Sequence, residues 1–251
     1  LFVKTVKIKN EEYGVGNIRF IPQNDYKTTG DTLKIFADLA KYGFNDVTYD
    51  FYHSVCGYNG EFYQTVYERV KDAETKKELE ESLIKHIDED GEIEDLKLFN
   101  FDSKSFGVKP AIVTAKLTTN SFFEKAQHNH LFKIGELIGP QMEFYKTEKR
   151  ILNVEDYYTR HYYRLIKFNI PEGYKVTNLD DLIIDKTYKN KEKNDIMVFK
   201  SSYKVDNNEV EVLIEEYYSN IFHPVEMYED YRRVINAAAD FNKVVLVFTK
   251  N

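Results

Sequence analysis

Between Asp195 and Asn251 the sequence prescribes strand, tight turn, strand, helix and strand, and this block limits the architecture more than any other. Met197, Phe199, Tyr203 and Val205 alternate, Asp206-Asn207-Asn208 supplies a turn, and Val210, Val212 and Ile214 alternate on the return. A period of two places such side chains on one face of a strand, and asparagine tolerates the positive φ of a tight hairpin link. His223-Pro224 follows, with Pro at an expected first helical position, then Met227, Tyr231, Val234, Ala238 and Phe241 at spacings of four, three, four and three. That is the apolar stripe of an amphipathic helix over 224–240. Asp240-Phe241-Asn242-Lys243 ends it, and Val244-Val245-Leu246-Val247-Phe248 is an unbroken apolar run suited to a strand covered on both faces. The helix is expected to lay its stripe on a sheet built from 195–218 and 244–248.

The earlier chain repeats this grammar. Phe2 to Ile8 and Asn17 to Ile21 read as short strands separated by Tyr13-Gly14-Val15-Gly16, and 24–31 reads as a polar loop. Leu33, Ile35, Ala37 and Leu39 alternate, and so do Val47, Tyr49, Phe51, His53 and Val55, which predicts a second hairpin. Helical spacing takes over across 61–87, where Phe62, Val66 and Val70 sit four apart, as do Leu79, Leu83 and Ile87. A charged break at 72–77 divides them, and the mixed charges of 74–81 read as a solvated face. Gly91, after Asp88-Glu89-Asp90, is the expected end signal. Strands are expected again at 93–101, 111–117 and 132–138. Glu143 to Arg150 is a polar connector, and a domain boundary is expected within 144–149. Pro171-Glu172-Gly173-Tyr174 is a turn with Pro early and Gly late.

These patterns predict an α+β fold dominated by antiparallel sheet, in two sandwich-like domains, 1–146 and 147–251, each with helices on one face. The 251-residue length allows either one large domain or two, and the composition supports β structure, with 20 Tyr, 18 Phe and no Trp. A net charge of −7 argues against attraction to polyanions, so no nucleic-acid partner is expected. No run of eighteen apolar residues is present to span a bilayer as a helix. The single cysteine, Cys56, excludes an internal disulfide. The chain opens Leu-Phe-Val-Lys, which reads as a mature chain or an excised fragment.

Ile166-Lys167-Phe168-Asn169-Ile170-Pro171-Glu172-Gly173-Tyr174-Lys175-Val176, followed by Leu179, resembles a strand-turn-strand that opens the C-terminal domain of bacterial transglutaminase-like multidomain proteins. His223 to Tyr231 and Ile235 to Asn242 are similar to that family's final helix and its exit, and the earlier half is similar in layout to its linking region. The resemblance implies an exported, periplasmic or cell-surface protein attached to, or descended from, a larger enzyme. It implies no catalytic residue here, because the family's Cys-His-Asp core would lie upstream of Leu1.

Four constellations carry candidate chemistry. Cys56, close to a helix start, is the only candidate thiol nucleophile, but His53 three residues earlier points to the opposite face of a strand, and a packed structural cysteine is expected. His128 and His130 share one side of an extended segment, with Glu124 and Glu136 near in sequence, but zinc needs three or four fixed ligands, so no metal site and no cofactor are expected. The acidic pairs Asp88-Glu89-Asp90 and Asp180-Asp181 lack calcium-loop spacing and are expected to be solvated turns. In Tyr157-Tyr158-Thr159-Arg160-His161-Tyr162-Tyr163-Arg164, the residues Tyr158, Arg160, Tyr162 and Arg164 share one strand face, where rings beside guanidinium groups can stack on sugars or grip a peptide. Cross-strand stabilisation of the sheet is the structural alternative for the same four. The leading expectation is a non-catalytic accessory module, not an enzyme, that mediates domain packing or binds a protein or glycan. The alternative is a free-standing surface-binding β module of the adhesin or pore-forming class, and only that alternative involves a membrane surface.

Overall fold

The computed structural model describes residues 2–17, 23–146 and 149–251. In chain order the strands are β1 (Phe2–Ile8), β2 (Glu11–Asn17), β3 (Gly30–Ala37), β4 (Val47–Val55), β5 (Glu92–Phe99), β6 (Ala111–Thr119), β7 (Phe123–Ala126) and β8 (Asn129–Phe132). They continue with β9 (Val154–Glu155), β10 (Arg160–Asn169), β11 (Tyr174–Val176), β12 (Ile184–Lys189), β13 (Asp195–Asp206), β14 (Glu209–Tyr218), β15 (Phe222–His223) and β16 (Leu246–Lys250). The helices are α1 (Leu39–Tyr42), α2 (Tyr58–Val66), α3 (Ala73–Lys85) and α4 (Tyr228–Asn242).

The alternating segments assemble into one eight-stranded sheet, ordered β12-β13-β14-β10-β3-β4-β6-β5. Its neighbours are antiparallel except at the middle, where β3 and β10 run parallel, with Ile35 opposite Ile166 and Ala37 opposite Phe168. The hairpin of β13 and β14 turns as its asparagines require: Asn207 and Asn208 take φ of 46° and 68°, and Asp206 faces Glu209. One face of this sheet holds Leu33, Ile35, Phe51, Val113, Leu117, Ile166, Val212 and Phe199, all buried. The other face carries exposed Lys34, half-buried Phe36 and Leu165, and the ion pairs of Glu211 with Lys167 (2.6 Å) and Lys204 (2.8 Å).

Two layers cover the buried face. The first is a four-stranded sheet, β11-β16-β8-β7, whose Phe132 and Phe248 rings lie 5.5 and 6.0 Å from Phe168 of the large sheet. The second is α4, which buries Tyr231, Val234, Ala238 and Phe241 along its stripe and sets Phe241 6.2 Å from Phe199 of β13. Its C-terminal end docks on a 3₁₀ turn, Ile134–Ile138, at Gly135: a Cβ there would stand 2.2 Å from the Phe241 carbonyl, so only glycine fits. Asn242 Nδ2 then donates to the Gly135 and Gly139 carbonyls, at 2.9 Å each.

The fold is α+β and sheet-dominated, with the sandwich-like layering its alternation implied. The expected division into 1–146 and 147–251 needs correction, because β3 pairs with β10 and β8 pairs with β16, so one core draws on both segments. The 244–248 run enters the small sheet as β16 rather than joining 195–218. Of the 132–138 region only Phe132, the last residue of β8, is strand, and Ile134–Ile138 is the 3₁₀ turn that receives α4. Across 61–87 the break falls at 70–72, and α2 buries Gly60 and Gln64 while Phe62 of the expected stripe is exposed. In α3 it is Ile84 that reaches the core; the side chain of Leu83 lies outside the described residues. Gly91 lies beyond the end of that helix and packs on Leu117. Tyr13-Gly14-Val15-Gly16 belongs to β2, and 18–21 of the expected second strand lies outside the described residues.

Two outcomes test this architecture. Residues 150–251 expressed alone should give a collapsed, poorly dispersed amide NMR spectrum, since β10 and β16 each lose a partner strand; a dispersed, cooperative fold would contradict the shared core. Val234→Asp should cost at least about 3 kcal/mol by burying an unpaired charge, roughly 10 °C in Tm for a chain of this size. An unchanged Tm would show that the α4 stripe does not face the sheet.

Candidate functional site

The buried face of the large sheet is apolar along most of its length and turns polar at one end. There the strand alternation that buries Ile166 and Phe168 also turns Arg160, Tyr162 and Arg164 of β10 inward. Neighbouring strands add Asp31 from β3, His53 from β4, and Glu216 and Tyr218 from β14. Above them pass His86, just after α3, the 138–142 loop, and Ile235 and Ala238 of α4. The space enclosed is a cavity of about 310 Å³ whose lining includes Asp31, His53, Arg160, Tyr162, Arg164 and Glu216. That volume lies at the small end of the range for ligand pockets.

Register explains which groups meet. Arg164 faces Ile214, and it reaches diagonally to Glu216, two residues along β14, with Nη1 donating to Oε2 at 2.8 Å. Both partners keep only 7% and 6% of their side-chain surface, so this is a buried ion pair. Glu216 Oε1 also accepts from the Tyr218 hydroxyl at 2.9 Å. Arg160 faces Tyr218 directly, lays its guanidinium 4.4 Å from that ring's centroid, and pairs with Asp156 at 3.1 Å. Asp31 Oδ1 takes a hydrogen bond of 2.8 Å from His53 Nε2, again along a diagonal, since Asp31 faces Val55 and His53 faces Leu33.

These pairings displace the titrations of the cavity groups. Burial pushes the Asp31 carboxyl upward, but the hydrogen bond and charge of His53, with Arg164 and His86 beyond, hold it below the usual carboxylate range. Burial raises the Tyr162 phenol to about 12, partly offset by Arg160. Tyr218 is driven well up by burial first and by Glu216 second. Asp156 is pushed up by burial, yet His223 and Arg160 bring it below its ordinary value. His223 is fully buried with Nε2 3.6 Å from Asp156 Oδ2, too long for a hydrogen bond and close enough for an ion pair when the ring is protonated.

Of the four residues singled out on one strand face, Arg160, Tyr162 and Arg164 line this cavity. Tyr158 precedes β10, stacks on Tyr58 at 5.0 Å and bonds Asn59, and it lines a neighbouring recess that shares Asp31. Cys56 lies elsewhere, in a cleft with Asn24, Gly57 and Phe106, where Gly30 N–H points to its sulfur at 3.3 Å. Its cleft includes no imidazole, and His53 turns to Asp31 instead. His130 stacks on Phe44 at 4.0 Å between ring centroids, and burial lowers its pKa. Among the described residues no group of three or more His, Cys, Asp or Glu side chains is arranged to hold a metal. The acidic turns divide: Asp180 accepts from Tyr203 at 2.8 Å, whereas Asp88, expected to be solvated, is buried. Asp31 and Glu216 escaped the sequence reading. Asp31 sits at the edge of a polar loop pattern, and Glu216 within Glu215-Glu216, where only the strand phase distinguishes the inward carboxylate from the outward one.

Comparison with family models, with curated proteins and with solved structures gives no significant match.

A buried ion pair is weak support for stability, because desolvation offsets the attraction, whereas breaking one partner leaves an uncompensated charge. Arg164→Met should therefore cost about 3–5 kcal/mol, and Arg164→Met with Glu216→Leu should recover most of it. Urea denaturation of the two variants checks this. A double variant no more stable than the single one would mean that the pair holds the fold together.

Proposed function

We propose that this protein is a non-catalytic binding module whose ligand enters the cavity at the polar end of the large sheet. The observation that carries the reading is the row of hydrogen-bonded, mutually oriented polar side chains, Asp31 with His53 and Arg164 with Glu216, facing into one cavity. Apolar residues would fill the same positions at lower desolvation cost, and perturbed titratable groups gathered in a cavity mark a functional site. Tight pairing also fixes these groups before a ligand arrives, which reduces the ordering cost of recognition. The ligand is one small polar unit, free or presented by a protein or a glycan. The setting implied by the sequence resemblance, an accessory region of an exported transglutaminase-like protein, accords with binding rather than bond-making. A surface-binding module of the adhesin or pore-forming class would use alternating strands such as β6, whose alternate residues Val113, Ala115 and Leu117 lie in the core, so the cavity is the better-supported site.

Ligand-observed and methyl-observed NMR with a panel of small sugars, amino acids and organic acids tests the reading. At least one class should shift the methyl resonances of Leu33 and Ile235, leave Val205 at the hairpin tip unmoved, and be recovered chemically unchanged. No shift at the cavity from any class, or turnover of the bound compound, would contradict it.

A further inference from the structure

Of the rings that suggested sugar stacking, Tyr158 stacks on Tyr58 and Tyr162 lies beside the protein's own cation. The Arg164 guanidinium lies 4.9 Å from the centroid of Tyr162, and that of Arg160 lies 4.4 Å from Tyr218. Hydrogen-bonding groups are what the cavity leaves open, and they are sorted by strand. On β10, Arg164 commits Nη1 to Glu216, and among the described residues its other N–H groups and the Tyr162 hydroxyl have no hydrogen-bond partner. On β3 and β4, Asp31 commits Oδ1 and His53 commits Nε2 to each other, leaving Asp31 Oδ2 as an open acceptor. One wall therefore donates and the adjoining wall accepts.

Formal charge points the same way. In the lining Arg164 is paired to Glu216, Arg160 to Asp156 just outside it, and Asp31 to His53, so each charged group already has a partner. A ligand with a single charge would leave that charge facing a compensated site, whereas a ligand carrying both signs meets an opposite partner on each wall. A third surface, formed by Leu33, Ile138, Ile235 and Ala238, is apolar. Resting on the cavity being the binding site, we propose that its ligand is a free α-amino acid with an aliphatic side chain. The carboxylate meets Arg164 and the Tyr162 hydroxyl, the ammonium group meets Asp31 Oδ2, and the side chain lies on the apolar wall.

Isothermal titration of the full chain with leucine, 4-methylpentanoate, 3-methylbutylamine and glucose tests this. Leucine should bind at least about tenfold tighter than either analogue lacking one charged group, and glucose should not compete. Asp31→Asn should abolish the preference for leucine over 4-methylpentanoate while holding the affinity for 4-methylpentanoate within about twofold. If Asp31→Asn does not fold, Tyr162→Phe serves in its place, weakening leucine but not 3-methylbutylamine. Either analogue binding as tightly as leucine, or glucose binding where leucine does not, would overturn the amino-acid assignment and leave the cavity a binding site. No binding by any of the four overturns the assignment; the broader panel silent at Leu33 and Ile235 overturns the binding site as well.

Discussion

The parallel pairing of β3 with β10 is the contact on which the rest of the molecule depends. Parallel neighbours cannot be joined by a tight turn and need a crossover. Here the crossover is most of the N-terminal half of the chain, which leaves β3, lays down β4 to β8 with three helices, and returns. The consequence is a single sheet with four strands on either side of one seam. Ile35 against Ile166 and Ala37 against Phe168 give the seam an apolar inner face, onto which Phe132 and Phe248 of the small sheet close. Each half thus supplies a strand that the other half needs, and the core is common.

The same seam builds the cavity. At the end of the pairing where β3 and β10 begin, the inner face changes from aliphatic to ionic, because Asp31 and Tyr162 occupy the inward positions one strand period before Leu33 and Arg164. His53 arrives from one side and Glu216 from the other, so one polar row is drawn from four strands. The small sheet covers the apolar part of the face and α4 with the 138–142 loop covers the polar part, where Gly139, at φ +74°, turns the chain over His86. Fold and site are therefore not separable: the alternation that makes the core also fixes the direction of every charged group in the cavity.

Local pattern was legible in the sequence where one element decides its own burial. The α4 stripe, the asparagine hairpin and the alternation of β4 and β6 were readable because periodicity alone sets which side chains face inward. Inter-element choice was not readable. Nothing in Val244 to Phe248 distinguishes a strand of the large sheet from β16 of the small one, and Phe132 to Ile138 is as apolar as a strand although Gly135 makes it the turn that receives α4. Phe62 and Val66 keep helical spacing, yet α2 buries the opposite residues, Gly60 and Gln64, because Gln64 Nε2 donates to the carbonyls of Asn100 and Lys109. For the site, Arg160, Tyr162 and Arg164 could be found because they lie within one strand. Their partners Asp31, His53 and Glu216 belong to three other strands, and only pairing brings them together. The two-domain expectation failed for the same reason: a polar connector at 143–150 marks a break in local pattern, not a break in the core.

Native-state hydrogen exchange in increasing denaturant tests the shared core most directly, since it reads whether segments open together or apart. The account predicts that amides of β3 and β4 and those of β10 and β14 converge on one global unfolding isotherm. Two isotherms of different free energy, divided between residues before 146 and residues after it, would contradict a single core built on the β3–β10 seam.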